Sequence, residues 1–214
     1  MREHTEVAVD REHGALRPFP RDRLAVAPVR AAEALLGAVL VRRFTDGAEV
    51  WARIVEVEAY APDDPASHSY RGPTPRCQTM FGPPGVAYVY RSYGIHRCLN
   101  VSVGAEGEGA AVLVRAAAVL RGTAEVRRRR PHVRDDAALL RGPGNLTEGL
   151  DIGLTLDGHD LLADGALSLV VDGFAGEVER GPRVGVSQAA DRPWRLVVSG
   201  AAAVSRYRRS PRAS

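Results

Sequence analysis

Apolar and polar positions along the 214-residue chain change their spacing several times, and those changes outline its elements. Residues 31–36 (AAEALL) end at Gly37, a pattern that predicts a short helix with a glycine stop. Residues 38–43 and 49–60 are strand-like and flank Asp46-Gly47, so they predict a hairpin. The stretch 61–85 carries six prolines and several polar residues and reads as a loop. Strand-like runs follow at 86–92, 97–103 and 111–118. A helix is expected from near Asp135 to Gly142, and another from near Thr147. Strands return at 168–171, 183–186 and 194–199. Strands on both sides of helices predict one α+β domain. We place it at 21–207, after a charged, proline-punctuated and poorly ordered arm (1–20) and before a short tail (208–214).

Composition sharpens this outline. A length of 214 suits one domain, or at most two small ones, and is ample for a buried core. Hydrophobic content of 45% with 26% charged residues is ordinary for a globular protein. The net charge of +3 weakly favours an anionic partner. Cys77 and Cys98 form no disulfide framework, and no four-residue metal pattern exists. No apolar run approaches roughly 18 residues, and the N-terminus lacks a signal-peptide core. The expectation is a cytoplasmic protein (nucleoid-associated if bacterial) that neither spans a membrane nor binds a metal. All 29 basic side chains are arginine. Without lysine there is no P-loop lysine, no lysine Schiff base and no lysine general base, and arginine stays protonated. Proton transfer falls to Asp, Glu, His, Cys or Tyr.

Several side chains then stand out. Alternation along 50–60 puts Ile54, Glu56, Glu58 and Tyr60 on one face, and Trp51, Arg53, Val55, Val57 and Ala59 on the other. Two carboxylates at i and i+2 in a strong strand are either a solvated face or a functional pair. Tyr88, Tyr90 and Tyr93 place half of the six tyrosines within six residues. Tyr88 and Tyr90 share a strand face, and Tyr93-Gly94-Ile95-His96 forms a turn. β-propensity alone explains tyrosines in strands, whereas an apolar residue on a projecting tip suits a wedge between stacked bases. Asn100 and Arg115 interrupt apolar strands and are either edge residues facing water or buried groups with a partner. An Arg115 near Glu58 would favour the carboxylate form that a general base requires. His68 by itself reads as a solvated loop histidine, and the cysteines as packing residues. The run Arg127–Arg130 reads most simply as an exposed flexible loop, with phosphate contact as the second reading.

The ordered string RIVEVEAY (53–60), DPASH (64–68), TPR (74–76), MFGPPG (80–85), AYVY (87–90), YG (93–94), NV (100–101) and VLVRA (112–116) strongly resembles the alkyladenine (3-methyladenine) DNA glycosylase family. GPG (142–144), PRVGV (182–186) and PWR (193–195) extend the match, which covers roughly residues 20–206. The resemblance implies a curved, mostly antiparallel sheet with surrounding helices and a protruding β-hairpin. It implies a monomeric, monofunctional enzyme without cofactor. That enzyme flips alkylated or deaminated purines (3-methyladenine, 7-methylguanine, hypoxanthine, ethenoadenine) out of double-stranded DNA and hydrolyses the N-glycosidic bond. By position, Glu58 is the general base, and Arg115 holds the water and a phosphate, with Val184 assisting through its carbonyl. Tyr60 and Tyr90 sandwich the base, His68 closes the pocket and donates a hydrogen bond, Tyr88 lines it, and Asn100 clashes with the guanine amino group. Tyr93 and Ile95 fill the gap in the duplex, and Arg76, Arg91, Arg97 and Arg141 are backbone contacts. Three departures qualify the match. Asn145 stands where lysine often follows the Gly-Pro-small motif, Cys77 where asparagine is common, and Ile95-His96 where larger residues are common. A non-catalytic lesion binder, a nucleoside hydrolase and an RNA-directed enzyme are the rival readings.

Overall fold

The computed structural model describes residues 16–92 and 94–213. In chain order the elements are β1 (Arg17–Pro18), α1 (Pro28–Leu35), β2 (Val39–Arg43), β3 (Glu49–Tyr60), β4 (Ala87–Ser92), β5 (His96–Val103) and β6 (Ala110–Arg121). They continue with α2 (Thr123–Arg129), α3 (Pro143–Gly149), β7 (Leu167–Val171), β8 (Val178–Gly181) and β9 (Arg195–Val198). The α+β expectation holds: the described strands form one antiparallel sheet in the order β1-β7-β2-β3-β6-β5-β4. The sheet branches at β3, whose first half pairs with β2 and whose second half pairs with β9, which in turn pairs with β8.

Local chemistry accounts for most boundaries. Helix α1 starts at Pro28, because proline at the first helical position lacks only an N–H that would be unpaired there. It ends before Gly37, whose φ of +87° is the left-handed conformation glycine tolerates. Asp46-Gly47 closes the β2–β3 hairpin, with Asp46 accepting from the Ala48 N–H (3.0 Å). Among the described residues, no helix is long and apolar enough to cross a membrane.

Several expectations need correction. The sheet begins at Arg17, which pairs with Val171, and Phe19 is buried, so the fold recruits chain before residue 21. Residues 1–15 of the expected arm lie outside the described residues. The arginine run is no free loop. Arg127–Arg129 complete α2 and pair with Asp136 or Glu125, whereas Arg130 is buried and bonds Asn145 and Glu148. Asn145 also donates to the Arg141 carbonyl (2.7 Å), so the residue standing in for lysine joins two turns of chain. Helix α3 starts at Pro143 rather than Thr147, and 135–142 holds only a 3-10 turn at Asp136–Ala138, capped by Asp135. The late strand is Val178–Gly181 rather than 183–186, because Arg183 and the Val184 amide turn inward to side chains instead of joining a ladder.

One face of the sheet carries the main apolar core. Ile54, Val57 and Ala59 of β3, Val112, Val114 and Ala117 of β6, and Leu99 and Val101 of β5 pack there. The helices and the 139–161 segment cover this face with Ala31, Leu35, Val126, Leu140, Leu146 and Leu161. The alternation expected for 50–60 breaks at its centre. Ile54 pairs with Ala117, Glu56 with Ala116 and Val57 with Val114, so Val55 and Arg115 are skipped. Facing bulges put Val55 beside Glu56, and Ala116 beside Arg115, on the outer face. Ile54 therefore belongs to the core rather than with Glu56, and Val55 parts from Val57.

Candidate active site

The outer face of β3, β4, β5 and β6 buries polar side chains that two loops and the C-terminal segment cover. Glu58 is fully buried. Its Oε1 accepts from the Val184 N–H (2.7 Å) and lies 3.4 Å from Arg115 Nη1. Its Oε2 accepts from the Tyr60 hydroxyl (2.9 Å). Glu56, equally buried, accepts from Arg115 Nε (2.9 Å), Arg195 Nε (2.7 Å), the Ser205 N–H (2.7 Å) and the Ser205 hydroxyl (2.8 Å). Burial alone would raise the Glu56 carboxyl, but Arg115 and the Arg195 and Ser205 hydrogen bonds hold it below the usual carboxylate range. The bulge makes this pairing possible by letting Arg115 leave the ladder between the two carboxylates.

Tyr60, the hydroxyl partner of Glu58, lines a cavity of about 560 Å³ together with His68, Tyr88, Tyr90, Asn100 and Arg76 among others. Tyr88 and Tyr90 leave β4 on the same face and stack at 5.3 Å, as their i, i+2 spacing requires. Burial pushes both phenols well above their ordinary value. His68 crosses the Tyr90 ring edge-on at 4.6 Å, and its Nδ1 lies 3.0 Å from the Tyr88 hydroxyl. Ser67 and Ser69 are buried and share a hydrogen bond (2.8 Å), which fixes the loop on either side of His68. Burial, with Arg76 nearby, lowers the His68 pKa, which favours the neutral imidazole. Asn100 Nδ2 donates to the Tyr88 carbonyl (3.1 Å).

Glu58, Tyr60, Arg115 and Val184 therefore converge, as do His68, Tyr88, Tyr90 and Asn100. Val184 meets Glu58 through its amide, whereas Val186 lines the cavity. Ile95 is 78% exposed at the β4–β5 tip, whereas Tyr93 lies outside the described residues. Arg91 is exposed at the cavity mouth, and Arg97 is exposed on β5. Arg76 lies over Tyr90 (5.3 Å), whereas Arg141 turns inward to the Ala202 carbonyl (2.7 Å). Cys77 is buried with its sulfur 3.1 Å from the Thr74 hydroxyl, so the loop keeps a polar contact there.

Sequence reasoning missed the support behind Tyr60. Arg183 is 1% exposed, pairs with buried Asp64 and donates to the Ala59 carbonyl (3.1 Å). Its guanidinium lies 4.7 Å from the Tyr60 ring centroid and 5.4 Å from that of Trp194. Both residues fall within matched motifs, but no local pattern signals a pairing across 119 positions.

An α+β domain thus holds a buried carboxylate bonded to a tyrosine that lines an aromatic cavity. The family model of methylpurine-DNA glycosylase matches residues 22–202. A Rhodococcus jostii (strain RHA1) protein is 48% identical over 99% of this chain and 90% of its own length. Relatives from Mycobacterium sp. (strain KMS) and Mycolicibacterium paratuberculosis are 50% and 52% identical over 89% and 90% of this chain, each covered over 94% of its length. All three carry the name "Putative 3-methyladenine DNA glycosylase". The chain belongs to the methylpurine-DNA glycosylase family and is a DNA-repair glycosylase for alkylated bases.

Proposed function

We propose that the protein flips a damaged purine nucleotide out of duplex DNA into the aromatic cavity and hydrolyses its N-glycosidic bond with water activated by Glu58. The observation that carries this reading is Glu58 itself, a fully buried carboxylate bonded to the cavity-lining Tyr60 and with defined donors on both oxygens. A carboxylate offers about four lone-pair positions, so capacity remains to take a proton from water. Arg115 balances its charge and steers the water, with the Val184 N–H fixing the carboxylate plane. Tyr60 and Tyr90 stack on the extruded base, each such contact contributing about 1–3 kcal/mol against the cost of extrusion. With the Tyr88 hydroxyl donating to Nδ1, neutral His68 carries its proton on Nε2 and donates to an acceptor of the base. Asn100 excludes the guanine amino group, and Tyr93 with Ile95 fills the gap in the duplex.

Cationic bases such as 3- and 7-methylpurines are good leaving groups already. Neutral bases such as hypoxanthine and ethenoadenine need protonation on the ring and depend more on the site. The chain has no lysine to attack the sugar, so the product is an intact strand with an abasic site. The test is a duplex containing hypoxanthine or 1,N6-ethenoadenine, incubated with wild type and Glu58→Gln. The wild type generates alkali-labile abasic sites and the variant does not. Absence of abasic product from any alkylated or deaminated purine would sink the reading. Borohydride trapping of a covalent protein–DNA adduct would sink the direct hydrolysis.

A further inference from the structure

The C-terminal segment 203–209 follows the family match, which ends at residue 202, and the reading above gives it no task. Ala203 is buried against the cluster of Val55 and Ala116, the residues turned outward by the two bulges. Ser205 bonds Glu56 through both its N–H and its hydroxyl, while its carbonyl accepts from Arg195 Nη2 (2.8 Å). Three residues on, the Arg208 carbonyl accepts the Gly185 N–H (3.0 Å), and Arg209 pairs with Asp191.

Two paths lead inward from these contacts to Glu58. Along the first, Ser205 fixes Glu56, Glu56 accepts from Arg115 Nε, and Arg115 Nη1 faces Glu58. Along the second, Arg208 fixes Gly185, whose neighbour Val184 donates to Glu58. Four donors converge on Glu56, whereas the Arg115–Glu58 approach is the longer, at 3.4 Å. Arg115 is therefore oriented mainly from its Glu56 side. Formal charges on Glu56, Glu58, Arg115 and Arg195 cancel, so neutralising Glu56 leaves the buried group with an excess cation.

We propose that Glu56 and the segment 203–209 form a brace that positions Arg115 and the Val184 amide on Glu58. Glu56 and Ser205 are then positioning residues for the glycosylase reaction, and the brace rests on the general-base reading of Glu58. Four proteins test it: full-length Glu56→Gln, Ser205→Ala and Glu58→Gln, and a chain truncated after Val204. Each is assayed on hypoxanthine-containing duplex for single-turnover cleavage per folded molecule, for lesion-duplex Kd by anisotropy, and for folding by circular dichroism.

The expected result is a cleavage rate about 10- to 100-fold lower in Glu56→Gln and in the truncated chain, with Kd changed by less than about threefold. Ser205→Ala, which keeps its N–H, falls by only about two- to fivefold. Loss of fold without loss of rate per folded molecule would assign these residues to stability alone and overturn the proposal. So would folded Glu56→Gln that cleaves within about twofold of wild type while Glu58→Gln is inactive. If the truncated chain does not fold, the two full-length brace variants decide by the same criteria. Undiminished cleavage by Glu58→Gln would instead remove the general-base reading, and the brace with it.

Discussion

Both faces of the sheet bury side chains, and they bury opposite kinds. The helix-covered face is mainly apolar, with Ile54, Val57, Leu99, Val101, Val112 and Val114 interlocked under α1, α2 and α3. Its order follows from burial and close packing, and a strand needs only the right period to join it. The loop-covered face buries Arg53, Glu56, Glu58, Asn100 and Arg115. Each of these groups has a partner, Arg53 in Asp172 (2.7 Å) and the others as described above, because a charge out of water is costly unless paired and hydrogen-bonded. One face therefore stabilises without specifying chemistry, and the other fixes chemistry at a cost in stability. The facing bulges mark where the requirements meet, since they keep the apolar side continuous while turning an extra residue outward on each strand.

Substitutions on the two faces should separate rate from stability. The largest effect is expected for Glu58→Gln, whose cleavage of hypoxanthine duplex should fall by ~10²–10⁴, the usual contribution of a positioned general base. Arg115→Lys keeps the charge but loses the fork that spans both carboxylates, so single-turnover cleavage should drop by about 10²-fold with lesion binding little changed. On the apolar face, Leu99→Ala should cost about 2–5 kcal/mol in denaturant unfolding, with the rate per folded molecule at the wild-type value. A changed rate there would break the comparison.

A smaller effect concerns acid stability. The folded Glu56 carboxyl is held below its unfolded value, so its stabilisation is present above the usual carboxylate range and fades as pH falls through that range toward the folded value. Glu56→Gln should therefore show a shallower loss of stability with acid than wild type, and identical slopes would count against the network. The smallest effect is expected on salt dependence. Arg91 and Arg97 are exposed beside the tip, and Arg91→Gln should reduce the slope of log K against log salt by about one if it touches a phosphate. An unchanged slope would exclude that contact.

Much of this was legible in the sequence because it is local. The 38–60 hairpin follows from two apolar runs around Asp-Gly, and the stacked Tyr88 and Tyr90 follow from two-residue periodicity. Arg115 was open between an edge residue facing water and a buried neighbour of Glu58, and the chain places the two 3.4 Å apart. What stayed hidden depends on residues far apart. The bulge that separates Ile54 from Glu56 exists only against β6, and a single strand read alone shows unbroken alternation. The burial of Glu56 depends on Arg195 and Ser205, well over 100 positions away, so its motif gives half of the arrangement. Arg130 illustrates the same limit, since four arginines in a row conceal that one has buried partners.

The branching of the sheet at β3 also bears on when the site can exist. Glu56, Val57 and Glu58 have Val197, Leu196 and Arg195 as partners on one edge, and β6 on the other. During synthesis the N-terminal half of β3 can pair with β2 and then β6 as each emerges. Its second half keeps one edge open until β9 has been synthesised. Such distant pairing is slow because a long loop must close before any contact compensates. The core face can thus condense early, while the carboxylates wait for β9, so a nascent chain can hold most of its apolar core before it holds the candidate site.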